Sequence, residues 1–193
     1  MVRITHQEKR GESIQSVTDG EKEILDRAAV DSEARKLIIE RYQRILFGFI
    51  LSLASFSREQ AFEIATSSWL HALKQKSRIT ADGEFMEELF REAIRQCSQK
   101  VPAGSPDLSA FGDLASQNKE SLKIVRQALV GLPAQDKHLL LLRDQCHFTF
   151  ERIAGILGVA PLQARSSCLE SRERLRTTVR SALEKRTGNS NAM

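Results

Sequence analysis

The side chains best suited to specific chemistry follow Pro161, where Gln163, Arg165, Ser166 and Ser167 lie close together in the sequence. An arginine can donate two parallel hydrogen bonds to a guanine edge or bind a phosphate, and a glutamine amide can pair with an adenine edge. Residues of these types at this spacing predict recognition of a nucleic acid rather than the making or breaking of bonds.

Two predicted helices position this stretch. Residues 150–157 form the first, which Thr149 caps through its hydroxyl group. Gly158 stops that helix, and Pro161 falls in the first turn of the next one, where the missing N–H of proline costs nothing. Two helices joined by such a tight turn form a helix-turn-helix, whose second helix normally enters the major groove of DNA.

Helical spacing separates the two sides of the second helix. Ala164, Cys168 and Leu175 recur on the side that is predicted to face the core. The opposite side is predicted to face DNA. Its candidate contacts are Leu162, Gln163, Arg165, Ser166, Ser167, Leu169 and Glu170.

Further arginines extend the candidate DNA-binding set. In the usual docking geometry Arg152, in the first helix, faces the DNA backbone. Thr149, at the start of that helix, is also a candidate DNA contact. The arginines at 172, 174 and 176 are either phosphate contacts or exposed helix charges, and Arg172 is included among the candidate DNA contacts. Arg143 is predicted to brace the fold through a carboxylate.

The charge of the chain is distributed unevenly along its 193 residues. Residues 1–118 carry 16 Lys and Arg against 18 Asp and Glu, a net charge of −2, whereas residues 119–193 carry 13 against 7, a net charge of +6. The helix-turn-helix therefore lies in the basic part, which suits a DNA backbone because phosphate contacts supply most of the sequence-independent affinity. A solvated basic face is the alternative interpretation of the charge alone.

Other classes of function are not indicated. The chain has no H-E-x-x-H, Cys-x-x-Cys, phosphate-binding-loop or G-x-S-x-G motif, and its four histidines are scattered. We therefore expect no enzymatic activity, no metal and no cofactor. The three cysteines are widely spaced, which predicts reduced thiols. No apolar run is long enough to span a bilayer and the N-terminus is polar, so we expect a cytoplasmic protein without membrane insertion.

Composition and periodicity predict an all-α protein of two small helical domains joined by a flexible linker. The hydrophobic fraction of 41% and the charged fraction of 28% are typical of a globular protein. A three-helix bundle occupies residues 21–100 and a helix-turn-helix bundle residues 119–186, while residues 101–118, which hold two of the four prolines, form the linker. The terminal segments 1–20 and 187–193 are predicted to be disordered. Predicted helices cover residues 21–30, 32–53, 58–75, 84–99, 121–130, 134–145, 150–157 and 161–183.

Six short motifs follow one another between residues 132 and 175. They are Leu132-Pro133, Leu141-Leu142-Arg143, the capping Thr149, Ile153-Ala154, Leu157-Gly158 and Arg172-Glu173-Arg174-Leu175. In this order and spacing they resemble region 4 of bacterial RNA polymerase sigma factors of the extracytoplasmic-function class. The combination is specific, although each motif alone is common.

Residues 61–73, AFEIATSSWLHAL, resemble more loosely the region 2 helix with which this family docks on the polymerase. The resemblance implies that Glu63, Ile64, Thr66 and Trp69 contact polymerase, although Trp69 is also a natural core anchor. It further implies that the chain binds core RNA polymerase, directs it to promoter DNA by reading the −35 element with region 4, and is held inactive by an anti-sigma factor wedged between its domains.

Other functions stay open at this point. In the family, the next helix binds an unpaired DNA strand partly by stacking. Here that helix, residues 84–99, lacks the tryptophan of the family and carries four acidic residues, Glu84, Glu87, Glu88 and Glu92. This favours a sigma-like protein-binding module, a decoy or adaptor for an anti-sigma protein, that does not melt promoters. A third hypothesis is a stand-alone regulator that dimerises on a palindrome, and a fourth is a helix-turn-helix that serves only packing.

Overall fold

The computed structural model describes residues 20–28, 30–53, 56–100 and 119–190. Within these ranges the chain forms eight α-helices, a 3-10 turn at Lys76–Arg78, a π-helical segment at Leu141–Gln145 and no strand, which confirms the all-α prediction. The predicted linker and most of the N-terminal segment lie outside the described residues. The helices are α1 (Glu21–Arg27), α2 (Ser32–Leu53), α3 (Arg58–Lys74), α4 (Glu84–Gln99), α5 (Lys119–Val130), α6 (Ala134–Leu140), α7 (Phe150–Leu157) and α8 (Pro161–Ser190).

Side-chain caps determine where several helices begin. The Asp31 carboxylate accepts a hydrogen bond from the N–H of Glu33 at 2.9 Å, at the start of α2. At the start of α3, Ser57 and Gln60 form a reciprocal capping box, with both hydrogen bonds at 3.2 Å. These contacts satisfy N–H groups that have no partner inside the helix, so the polar residues before each apolar stripe set its register.

Several predicted helices end differently in the structure, and the helix predicted over 21–30 already ends at Arg27. The predicted helix 134–145 changes to a π-helical segment after Leu140, and this wider turn accompanies the burial of Leu141, Leu142 and Cys146. The predicted helix over 161–183 continues to Ser190. Residues 187–190, which belong to the predicted disordered tail, thus lie in α8, and the disorder of the tail stays a prediction.

The helices α2, α3 and α4 pack on one another, as the three-helix bundle requires, and α1 packs on α2. Aromatic rings fill the centre of this bundle. Phe49 and Phe90 lie 5.3 Å apart between ring centroids, and Tyr42, Phe49, Phe85 and Phe90 are all fully buried. Burial of such large side chains supplies most of the stabilisation of a bundle this small.

Many buried side chains of the C-terminal unit belong to the same hydrophobic cluster as the bundle. Phe148 packs edge-on against Phe90, with 5.0 Å between ring centroids, and α7 packs against α4. Leu132, Leu140 and Cys168 form a smaller separate cluster. The two predicted units therefore share a core in this structure, and their division into two domains stays a prediction.

Candidate nucleic-acid interface

The helix-turn-helix is built from α7, a tight turn and α8. The Thr149 hydroxyl accepts a hydrogen bond from the N–H of Arg152 at 3.4 Å, which confirms its predicted role as the cap of α7. Gly158 ends α7 with φ at 68°, in the left-handed region that glycine adopts without strain. Pro161 is the first residue of α8, as predicted. These local preferences fix the angle at which α8 leaves the turn.

The inner and outer sides of α8 lie where helical spacing predicts them. Ala164 and Cys168 are buried and Leu175 is half-buried. On the outer side Gln163, Arg165 and Ser166 are exposed, Ser167 is half-buried, and Leu162 is 77% exposed. The structure thus brings the predicted base-reading side chains together at the solvent-facing start of α8.

Arg165 differs from the other cations of this surface. It is exposed and makes no hydrogen bond or ion pair with any described residue. By contrast, Arg172 binds Asp144, Arg174 binds Asp136 at 2.7 Å, and Arg176 binds Glu173 at 2.6 Å. The pairs of Arg172 and Arg176 are exposed and pairs of this kind are worth only about 0–1 kcal/mol, so a phosphate can displace their carboxylates, whereas Arg174 is held by a buried carboxylate. Arg165 is available without such an exchange.

Two arginines of the helix-turn-helix lie away from this surface. Arg152, a predicted backbone contact, donates to the Glu87 carboxylate at 3.0 Å and to the carbonyl of Asp82 at 2.7 Å. Arg143 donates to the carbonyl of Phe148 at 2.8 Å, and its guanidinium lies 4.7 Å from the centre of the Phe150 ring. Arg143 braces the fold, as predicted, but through a carbonyl and an aromatic face instead of a carboxylate.

The predicted polymerase-binding residues of α3 fall into two groups. Ile64 is fully buried, so it cannot contact a partner in this conformation; its spacing from Ala61 and Ser68 places it on the core stripe. Glu63 is exposed and forms an ion pair with Lys100 at 2.8 Å. Thr66 and Trp69 line an open groove between α2 and α3. Only Glu63, Thr66 and Trp69 of the predicted set are thus accessible.

This groove is largely apolar and has a volume of about 640 Å³. Phe62, which sequence reasoning missed as a contact, is 67% exposed at its edge. The signal for it was an aromatic residue outside the core stripe of α3, where a polar residue is expected. Trp69 serves both sides, since its ring also packs 5.6 Å from Phe85. The groove is lined by Ile39, Gln43, Arg44, Phe47, Phe62, Ala65, Thr66, Trp69 and Leu73.

The acidic residues of α4 are engaged by neighbouring groups. Glu84 accepts hydrogen bonds from the backbone of the turn at Thr80 and Ala81, Glu87 binds Arg152, Glu88 contacts His71 and Arg91, and Glu92 binds Arg95. Of the residues of α4 itself, only Arg91, Arg95, Ser98 and Gln99 are exposed. This helix therefore presents no aromatic side chain on which a base can stack.

Sites for other chemistry are scarce. No three His, Cys, Asp or Glu side chains of the described residues cluster as metal ligands do. The three cysteines are free, and burial raises the pKa of Cys97 to about 12, which keeps that thiol protonated at neutral pH. None of the helices in the described part of the chain has the length and hydropathy needed to cross a bilayer.

No protein-family model matches the chain, and no curated protein is significantly similar to it. The structure shows an all-α chain in which the start of α8 is exposed to solvent and a separate apolar groove lies between α2 and α3.

Proposed function

We propose that the chain is a sigma-like transcription initiation factor of the extracytoplasmic-function type, which binds core RNA polymerase and reads the −35 element of a promoter. The single observation that carries this proposal is the exposed start of α8, where Gln163, Ser166 and the unpartnered Arg165 lie together after a capped α7 and a glycine turn. This arrangement offers base-edge donors and acceptors on a helix that can enter the major groove.

The apolar groove between α2 and α3 supports the polymerase-binding half of the proposal. An open apolar groove with exposed aromatic residues is typical of a protein-binding surface. Trp69 and Phe62 can anchor a partner there, because aromatic side chains dominate the energetics of interfaces. An anti-sigma factor that held the chain inactive would have to cover this groove, the start of α8, or both.

Arg165→Ala tests the DNA-reading role. We expect the specific binding of holoenzyme to a promoter selected from a random library to weaken by about 1–3 kcal/mol, with relaxed preference at one base pair, because a bidentate contact is lost. Run-off transcription from the same promoter should fall in parallel. Quantitative footprinting with purified core polymerase measures both.

Arg180→Ala is the matched control, since Arg180 is exposed on the same helix about 22 Å along its axis. It should leave base preference unchanged. If Arg165→Ala weakens binding to every sequence equally and flattens the salt dependence, Arg165 contacts phosphate and does not read a base.

A second candidate is the sigma-like adaptor that does not melt promoters. The packing of α4 against α7 favours it, because the helix with which the family opens DNA is largely buried here and lacks an exposed aromatic residue. Specific run-off transcription on linear duplex excludes the adaptor. Tight binding to polymerase or to an anti-sigma protein without initiation excludes the first proposal.

A further inference from the structure

The contact between α4 and α7 is specific in its geometry. Arg152 of α7 donates to the Glu87 carboxylate at 3.0 Å and to the carbonyl of Asp82 at 2.7 Å. Arg91 of α4 donates in the opposite direction, to the carbonyl of Gly155 at 2.6 Å. Below these polar contacts lie the rings of the shared core. The two halves of the chain thus exchange charge-assisted hydrogen bonds across one seam.

Two glycines make room for this ion pair. A Cβ atom at Gly155 in α7 would overlap the Glu87 carboxylate, and a Cβ atom at Gly83, just before α4, would overlap the Arg152 guanidinium. Each unit therefore presents a glycine where the charged group of the other unit lies. Such mutual fit is a property of a formed interface rather than of two surfaces in chance contact.

The segment that leads from the π-helical turn into α7, beside the seam, has two features that cost free energy. The Oε1 atom of Gln145 is buried without a hydrogen-bond partner. His147 has φ at 57°, in the left-handed region that side chains other than glycine rarely adopt, and it follows the π-helical segment. An unsatisfied buried acceptor and a strained backbone both cost free energy in the closed arrangement. Opening of the seam can relieve the first of these costs, because the Gln145 amide lies against Gly48 of the bundle and would become hydrated.

We propose that the seam is a reversible latch that conceals Arg152, and that opening it frees this guanidinium for the phosphate backbone of DNA. The inference rests on the proposed function, which it deepens by assigning a closed, weakly binding state. In the closed state Arg152 has only a quarter of its side chain exposed and its donors are engaged. A ligand that needs Arg152 free binds only the open form.

The consequence for affinity follows from the population of the open form. The apparent dissociation constant equals the intrinsic constant divided by the open fraction, so full opening of a chain that is about one-tenth open improves binding roughly tenfold. The latch therefore predicts different effects for substitutions of the two partners of this ion pair. Glu87→Gln opens the seam and leaves Arg152 as a cation, whereas Arg152→Ala opens the seam and removes the phosphate contact.

Gly155→Ala provides an independent route to the open state. Alanine favours helix more than glycine does, so α7 itself should not be weakened, while its methyl group displaces the Glu87 carboxylate from Arg152. Gly131→Ala is the matched control, because a Cβ atom there meets backbone carbonyls only at ordinary contact distances of 3.5 and 3.6 Å.

The experiment uses the full-length chain and two readouts. Amide hydrogen exchange without DNA reports the seam, and fluorescence anisotropy with a duplex of random sequence reports phosphate binding. We expect Glu87→Gln and Gly155→Ala to speed exchange in α4 and α7 and to tighten duplex binding up to roughly tenfold. Arg152→Ala should speed exchange without tightening binding, and Gly131→Ala should change neither.

The outcomes distinguish the latch from the proposed function. Unchanged exchange in Glu87→Gln and Gly155→Ala overturns the latch, as does faster exchange without tighter duplex binding. Equal tightening by Glu87→Gln and Arg152→Ala also overturns it, because Arg152 would then not be the concealed contact. If no variant binds duplex DNA, with or without core polymerase, the proposed function fails, while the exchange data still show whether the seam opens.

Discussion

The N-terminal bundle and the C-terminal unit each bury a carboxylate, but they stabilise it by different means. Glu21, the first residue of α1, is fully buried and accepts hydrogen bonds from the Tyr42 hydroxyl and from the N–H groups of Gly83 and Phe85. No cation forms an ion pair with it among the described residues, and burial raises its pKa.

Asp136 in α6 is almost as deeply buried, at 5% exposure. It accepts from Arg174 at 2.7 and 2.9 Å and from the Ser171 hydroxyl at 2.9 Å. The hydrogen bonds from Arg174 lower the pKa of the Asp136 carboxyl, although burial opposes them. The C-terminal unit thus holds its buried acid with a cation of α8, whereas the bundle uses backbone and hydroxyl donors.

The difference follows from what each carboxylate joins. The Glu21 side chain reaches from α1 to the start of α4. In return, Asp82, just before α4, accepts from the N–H groups of Gly20 and Lys22 at the start of α1. Two helix N-termini therefore cap each other, with free N–H groups as ready donors. Asp136 instead joins α6 to the middle of α8, where the only donors are side chains. The two pKa shifts are opposite because burial outweighs the neutral donors at Glu21, whereas the hydrogen bonds from Arg174 outweigh burial at Asp136.

The largest expected effect comes from Phe148→Ala, which tests whether the two regions unfold together or separately. Phe148 is 1% exposed and packs on Phe90 of the other region. Its truncation should lower the free energy of unfolding by about 3–5 kcal/mol. Urea titration followed by the fluorescence of Trp69, the only tryptophan, measures the effect on the bundle.

If the two regions share a core, the urea midpoint measured by Trp69 fluorescence should shift as far as the midpoint measured by far-ultraviolet circular dichroism. A Trp69 transition that stays in place while the circular dichroism becomes biphasic would show two independent units. Phe62→Ala is the matched control, because Phe62 is 67% exposed and its loss should change stability by no more than about 0.5 kcal/mol.

Glu21→Gln is expected to have the next largest effect. The protonated carboxyl that burial favours carries one O–H donor, whereas the amide carries two N–H donors among the donors of Tyr42, Gly83 and Phe85, so the free energy of unfolding should fall by about 1–3 kcal/mol. Because the folded pKa of Glu21 is raised, its favourable contribution is complete below its unfolded pKa of about 4.3 and is lost as the pH rises through the folded value.

The stability gap between the wild type and Glu21→Gln should therefore narrow as the pH rises from about 4 to 7, as measured by urea unfolding at several pH values. Glu23→Gln is the control on the same helix, since Glu23 is exposed. A gap that stays constant over this range would mean that burial does not raise the pKa of Glu21.

The elements of the fold were more predictable from the sequence than the contacts between them. The bounds of α4 and α7, the Thr149 cap and the inward side of α8 follow from local preferences and spacing, which act within a few residues. The role of Arg152 was not predictable, because its partner Glu87 lies 65 residues away and the two glycines that admit the pair carry no side chain. The resemblance implied that Ile64 contacts polymerase, but helical spacing places this side chain on the buried side of α3.

The smallest effect is expected for Asp136→Asn. The amide still accepts from Ser171, and Arg174 is half-exposed and can be hydrated, so the loss at neutral pH should be about 1 kcal/mol. Because the folded pKa of Asp136 is lowered, its contribution is present above its unfolded pKa of about 3.9 and disappears as the pH falls through the folded value.

The gap between the wild type and Asp136→Asn should thus narrow in acid, whereas the gap for Glu21→Gln should widen there. Burial lowers the pKa of His138, two residues away, to about 4, which adds its own acid sensitivity. Wild type and variant share that histidine, so the difference between their urea midpoints at each pH isolates the carboxylate. Added salt should shrink the Asp136 gap and leave the Glu21 gap unchanged, since only the former depends on a partly exposed cation. Gaps that move in the same direction with pH would contradict the assignment of opposite pKa shifts to the two regions.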